Sequence, residues 1–472
     1  MPTAPLPLFG KINKNVDGIE VSSAAVSLID AFADEEGFTR KRPGLESLVD
    51  LGAGTNQRVE GLYWWAENGY VIAVAGGNIY KVTYSAGTAT VTDLTGDALT
   101  ANIPVTFATD GTYVFIAADG RVVYTNGTAS TAFLADADAP TSVSHVAFVD
   151  GYLIANDAGT NQAAFSSPTD RLAWDPVDYL SAAGDGDNIV AVKVLNREIY
   201  FFGPKSFEIW ENDGTSPFAR IPGGFREWGC VAANSIVQID DGLVWLDNER
   251  HFRAFAGSQS QIISSPYDKD IETYSTVSDC VAHKVEISGQ RFLVFVFPAE
   301  SKTLAYNTKL QEWSEWCEWD SANFQYTRWR GQSTVRAIDW GVHLVGSRMD
   351  STLYLMSEDY YDDAGTEIRV KRLTGHVDHG LLRRKRSNEI RLRVKRGAVD
   401  LSADPVVMIR WRDNGGSWSN LHHMSLNSIG ERDFIARIQR SGIYRARQYE
   451  ITATDAAPII FGKAEEDFEV LR

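Results

Sequence analysis

Eight histidines, three cysteines and several acid clusters are the residues whose types could do chemistry, so their spacing is read first. His145, His251, His283, His343, His376, His379, His422 and His423 form no HExxH helix and no other metal-ligand spacing. The nearest to a ligand pair is His376 and His379 in GHVDHG, with Asp378 between them. No third histidine accompanies them, and a solvated loop is expected there. Glu358–Asp363 (EDYYDD) offers oxygen ligands suited to a divalent cation, but is likewise read as a solvated loop. The adjacent Asp240 and Asp241 share one turn, whereas glycoside hydrolysis needs two carboxyls set across a sugar. There is no GxSxG elbow, no GxxxxGK(S/T) loop and no dinucleotide fingerprint after a strand. The expectation is a protein that is not an enzyme and uses neither cofactor nor metal.

Two further stretches carry distinctive chemistry. Trp411–Trp418 (WRDNGGSW) is similar to the Asp-box hairpin of sialidase-type propellers, with Trp411 in place of the usual Ser or Thr. In that element the carboxylate, here Asp413, caps turn N–H groups, Gly415 sits in the turn, and the aromatic, here Trp418, packs under the hairpin. It predicts a hairpin at Asp413–Ser417 and no catalysis. The basic run Arg383, Arg384, Lys385, Arg386 continues into Arg391, Arg393, Lys395 and Arg396. Period-two alternation places Arg391, Arg393 and Lys395 on one strand face, opposite Ile390, Leu392 and Val394. DNA binding would call for stacking aromatics and a strongly basic domain, so this run is read as an inter-subunit docking surface for an acidic neighbour.

The charge distribution motivates that reading. The chain of 472 residues carries a net charge of −17. Residues 381–472 hold 17 Lys+Arg against 12 Asp+Glu, a balance of +5 that leaves −22 on the rest. Such a body repels phosphate and makes a poor grip for nucleic acid. Cys230, Cys280 and Cys317 are odd in number and widely spaced, so neither a disulfide framework nor a metal site is expected. They are read as reduced core residues, which implies folding in a reducing cytoplasm. The start, MPTAPLPLFG, shows no secretory signal, and no stretch reaches the ~18 apolar residues of a membrane span.

The elements that must position these residues are strands. With 39 Gly and 11% aromatics against 5 Met, the composition favours strands and tight turns over helices. One unit recurs: a short apolar strand, a tight turn, then a second strand that is almost wholly apolar, as in Tyr113–Ala118 (YVFIAA) and Phe292–Phe297 (FLVFVF). The first turns fall near Gly69, Gly111, Gly151, Arg197, Gly242, Gly289 and Gly341, at intervals of 42, 40, 46, 45, 47 and 52 residues. A period of ~40 to 50 residues marks a β-propeller, whose small sheets bury their faces only against one another. Asn68-Gly69 and Asp110-Gly111 are expected to form type I′ turns. The fold class is thus an all-β propeller of six or seven irregular blades, residues 56–375, between an N-terminal arm, 1–55, and a smaller C-terminal β domain, 376–472. Within the arm, RKRPGLE (Arg40–Glu46) reads as an extended segment ending in a turn. Strands are expected in the end domain at Glu389–Lys395, Val406–Trp411, Asp433–Ile438 and Tyr444–Thr452.

Tyr200–Leu246 carries Gly203, Ser206, Glu208 and Trp210 in a GxxSxExW strand, then Arg220 in a turn, then Gly229-Cys230 before a strand ending in Trp245. This order resembles the packaged-DNA stabilisation, or tail accessory, proteins of short-tailed phages. The RPGL at 42–45 and the RWRDNGGSWSN at 410–420 resemble the same proteins. The resemblance implies a structural virion protein of the podovirus tail hub: a hexameric nozzle ring below the portal that retains packaged DNA and conducts its ejection. It further implies contact with a head-to-tail adaptor, with tailspikes or tail fibres, and with a tail needle or plug. Packaged DNA would pass through without sequence-specific binding. It implies no catalytic residues. The alternative is a carbohydrate-active or carbohydrate-binding propeller, which needs polar residues converging at the propeller mouth.

Overall fold

Each of the seven repeat turns joins two antiparallel strands in the computed structural model, and two more strands extend each pair into a small sheet. Residues 3–8, 11–15, 25–118, 120–182, 184–214, 217–396, 405–426 and 433–471 are described, without the side chains of Arg396 and Asp433. The first six blades are sequential four-stranded meanders, spanning 59–93, 106–133, 146–181, 191–226, 237–262 and 281–315. Blade VII has three strands of its own, Gly331–Ala337, Val342–Ser347 and Thr352–Ser357, and takes its fourth from Gly44–Asp50. The count is therefore seven. The longest repeat interval, 289 to 341, accommodates an inserted hairpin, Cys317–Asp320 with Gln325–Arg328. Among the described residues the one α-helix is Asp268–Glu272, and no helix is long and apolar enough to cross a membrane.

The second strands are buried throughout, as in Tyr70–Ala75, Val114–Ala118 and Gly242–Leu246. Neighbouring blades cover both of their faces, so the interior positions along these three strands are apolar. The turns differ from expectation in type. Four residues separate Trp65 from Tyr70 and Thr109 from Val114, so only Gly69 (φ 66°) and Gly111 (φ 85°) enter the left-handed region. The paired positive φ values of a two-residue turn occur at Asp150-Gly151, Asn196-Arg197 and Ser288-Gly289.

The flanks form one body rather than a free arm and a separate tail. One sheet runs Ala31–Ala33, Thr39–Lys41, Ile459–Val470, Lys385–Arg396, Asp433–Tyr444, with Thr3–Pro5 added to Ile459–Val470. The facing strands are Ala25–Ile29, Val370–Thr374, Arg447–Ala453, Val406–Asp413 and His422–Ser425, joined through Ala25–Ile29 to the outer strand of blade VI. Ile390, Leu392, Val394 and Phe461 of the first sheet share a core with Val407, Ile409, Tyr449 and Ile451 of the second, continuous with Phe295 and Trp313 of blade VI. The run expected as one strand over Tyr444–Thr452 is two strands in different sheets, broken at Arg445-Ala446.

Arg42 of the RPGL segment locks the flanking sandwich to blades VI and VII. Its fully buried guanidinium donates to Asp30 (2.7 Å), to both oxygens of Asp363 (2.9 and 2.5 Å) and to the Cys317 carbonyl (2.9 Å). Burial pushes the Asp30 carboxyl up to about 6, with Arg42 and the Cys317 N–H pulling against it. Asp363, last residue of EDYYDD, is thus a buried ion-pair partner rather than part of a solvated loop.

Candidate functional site

The patch Gly203–Trp245 builds the junction between blades IV and V. Gly203 N–H donates to Ser206 O across a tight turn, and Gly203 O accepts Cys230 N–H (2.9 Å). A Cβ on Gly229 would lie 2.2 Å from the Pro204 carbonyl carbon, so only glycine lets the next blade's lead-in touch this turn. Gly229 O accepts the Trp245 indole N–H (2.9 Å), and the buried Trp245 ring packs against Phe202 and Phe207. Glu208 accepts from Gly184 N–H (2.5 Å) and from Trp210 Nε1 (2.8 Å). Arg220, expected in a turn, lies inside the outer strand Phe218–Arg226 with its guanidinium 3.6 Å from Glu208. Burial pushes the Cys230 thiol up to about 12, and all three cysteines are buried and free. These residues hold two blades together and present nothing to solvent that reacts.

WRDNGGSW does form a turn, with Asn414 (φ 53°) and Gly415 (φ 76°) left-handed. Its chemistry differs from expectation. Gly416 N–H is capped by the backbone carbonyl of Asp413, while the Asp413 carboxylate chelates Arg447 (2.6 and 3.1 Å). Trp418 lies beside the strand, with Arg410 (4.8 Å) and Arg412 (5.0 Å) over its ring. A fully buried guanidinium at Arg447 outcompetes the turn for the carboxylate. The GHVDHG histidines are buried rather than solvated. His379 contacts Glu466 (3.0 Å) and Tyr444 (3.1 Å) and stacks on Phe468. Burial alone would raise the Glu466 carboxyl; hydrogen bonds from His379, Tyr444 and Tyr449 hold it below the usual range.

The basic run is split by the structure. Leu381–Arg384 are exposed, and among the described residues Arg383 and Arg384 make no ion pair. Lys385 is fully buried, its ammonium donating to Arg383 O (2.9 Å) and to Leu381 O, which removes it from any docking surface. Arg386 is exposed, 3.6 Å from Glu469. The alternation holds: Ile390, Leu392 and Val394 are buried, while Arg391, Arg393 and Lys395 lie on the outer face. Arg391 is neutralised by Glu389 (2.5 Å) and Glu465 (3.1 Å), and Lys395 sits 4.3 Å over Phe38. Of the run read as a docking surface, Arg383, Arg384 and Arg386 stay exposed, next to the exposed Leu382.

Among the described residues the one acid–histidine trio close enough to share a cation is Asp247, Glu249 and His251. Asp247 is already committed, accepting N–H bonds from Glu249 and His251 and pairing with Arg253 (2.8 Å). A groove of about 960 Å³ between blades V and VI is lined by Asp240, Asp241, Gln261, Arg291 and Lys309. Its one aromatic, Phe255, is buried, so it offers no platform for a sugar ring. Residues of six blades, including Glu60, Thr106, Lys193, Ile236, His283 and Ser333, line a cavity of about 260 Å³ between the first strands of the blades.

A family model described as bacteriophage P22 Gp10, β-propeller, matches residues 25–361. The chain belongs to that family. It is accordingly a structural phage tail protein, and the matched span begins at Ala25–Ile29 and ends just after Thr352–Ser357, so it takes in all seven blades. No curated protein matches. Solved structures similar in fold include the N-terminal domain of Nup159 (10% identity, 71% of this chain and 99% of that one, TM-score 0.40). Others are the extracellular domain of BT4673 from B. thetaiotaomicron (10%, 91% and 62%, 0.46) and YCF48 bound to D1 peptide (10%, 67% and 99%, 0.39).

Proposed function

We propose that this Gp10-family propeller is the subunit of a hexameric nozzle ring in a short phage tail, below the portal and adaptor. The ring retains packaged DNA and then conducts its ejection. The family match over residues 25–361 carries the reading. Its neighbours would be the adaptor above, tailspikes or fibres at the side and a needle or plug at the tip. In this reading the propeller forms the wall and residues 376–472 dock to neighbours, with strands from the first 55 residues tying the two together.

Two physical observations agree with it. The cavity of about 260 Å³ among the first strands of six blades is too small for a nucleic acid duplex, so in this reading the conduit lies between subunits rather than through one. A body of charge −22 repels phosphate, which lets DNA slide instead of sticking. Electron microscopy of virions carrying a labelled copy tests the reading. Six labels are expected around the tail below the portal; label on the capsid, or none on the particle, overturns it.

A further inference from the structure

Ten large apolar side chains are exposed among the described residues, and they are not scattered evenly. Val177 (72% exposed) and Tyr179 (50%) sit together on Trp174–Ser181, the outer strand of blade III. Leu381, Leu382 (83%), Ile435 and Ile443 sit on the sheet of Lys385–Arg396 and Asp433–Tyr444 and in the loop leading into it. Apolar groups clustered this way mark contact surfaces, whereas single ones need no explanation.

The two clusters carry opposite charge. On blade III, Asp175 and Asp178 flank Val177, and among the described residues neither carboxylate forms an ion pair. On the sandwich, register places Ile443 opposite Arg386, close to the unpaired Arg383 and Arg384 and to the exposed Arg440. Each surface thus has an apolar centre beside charges of one sign, of which only Arg386 on the sandwich has an ion-pair partner, Glu469, among the described residues.

Position decides what they can meet. The sandwich is joined to the outer strand of blade VI, and blade III lies three blades round a ring of seven. The surfaces face nearly opposite flanks of one chain and make no contact within it. Both strands are sheet edges, yet both are bulged: Phe165 alone faces the stretch between Trp174 and Tyr179, which contains Pro176, and the far strand bulges at Arg440-Ser441. Bulges and proline block strand addition, so contact here is through side chains rather than a shared sheet.

We infer that the blade III edge of one copy docks on the Leu382–Arg386 and Ile443 surface of the next. Val177 and Tyr179 cover Leu382 and Ile443, and Asp175 and Asp178 pair with Arg383, Arg384 and Arg386. An interface between two different patches on opposite flanks is heterologous, which generates a ring when its rotation closes. The inference rests on the nozzle reading only for the number of copies.

Disulfide trapping tests it. The three native cysteines are buried, so a Val177→Cys/Leu382→Cys chain has two accessible thiols. Oxidation of assembled tails should give a covalent ladder up to the ring size, while either single variant stays monomeric on denaturing gels. Asp175→Arg/Asp178→Arg should lower ring yield at least tenfold, and adding Arg383→Asp/Arg384→Asp to every copy should restore it. Tails that incorporate the chain but give no ladder overturn the interface and leave the nozzle standing. A ladder from purified chain that never enters tails overturns the nozzle and leaves the interface.

Discussion

Replacing Arg42 by Met keeps most of the side-chain volume and removes the charge at the joint between sandwich and propeller. Asp30 and Asp363 would then remain buried, at 0% and 2% exposure, facing each other without a cation. The Pro43 and Cys317 carbonyls would also lose a donor each. Truncating one partner of a buried pair costs about 3–5 kcal/mol, because the surviving charge is stranded. Equilibrium urea unfolding followed by tryptophan fluorescence should report that loss, since Trp316 and Trp329 are buried beside the site. Hydrogen exchange should place the damage first in Gly44–Asp50 and its partner Thr352–Ser357. The triple variant Arg42→Met/Asp30→Asn/Asp363→Asn removes every charge and should recover most of the stability. A loss below about 1 kcal/mol for the single variant would refute the reasoning, as would a triple variant no more stable than the single.

Burial holds His145 at about 3, and His283 and His343 at about 4, so all three are neutral in the folded chain. The unfolded chain protonates them near 6.5, so stability present above that pH is lost as pH falls from 6.5 toward 4, by about 2 kcal/mol each at pH 5; His145→Gln should flatten that slope in urea midpoints measured between pH 7.5 and 5. Gly229→Ala drives a Cβ into the Pro204 backbone and should cost about 3 kcal/mol or more, read as a lowered unfolding midpoint with blades IV and V losing exchange protection. Asp413→Ala removes two charge-assisted hydrogen bonds and leaves the buried Arg447 with Glu466 (3.6 Å) as its remaining carboxylate, so it should cost about 1.5–3 kcal/mol, whereas an Asp-box role would cost only a turn hydrogen bond. Lys385→Met should lower thermal stability without changing assembly, and Arg383→Glu/Arg384→Glu should do the reverse, compared by calorimetry and ring yield.

The blades were legible because each announces itself locally, with a tight turn followed by an apolar strand that only stacked neighbours can bury. Pairings between distant segments leave no such mark. Nothing near Gly44–Asp50 names Thr352–Ser357 as its partner, so a strand of blade VII reads as part of an arm. Ile459–Val470 was missed because its buried positions include Glu466, which a pattern of apolar residues does not count. The basic run shows the limit at the site: alternation placed Arg391 and Arg393 on the outer face, but the burial of Lys385 depends on carbonyls of the preceding loop. Asp413 and Asp363 were assigned to turn and solvent because the arginines that claim them, Arg447 and Arg42, lie 34 and 321 residues away.

The borrowed strand of blade VII has a consequence for synthesis. Gly44–Asp50 leaves the ribosome about 300 residues before Thr352–Ser357, a wait of about 15–60 s at ordinary elongation rates. The early blades can stack in that interval, but the circle stays open and the sandwich lacks more than half of its strands. A chain interrupted before residue 352 keeps two unsatisfied edges, which chaperones and proteases recognise. Closure of the propeller and completion of the sandwich thus act as a proofreading step, admitting to a symmetric assembly only copies translated through Thr352–Ser357 and the sandwich strands that follow it.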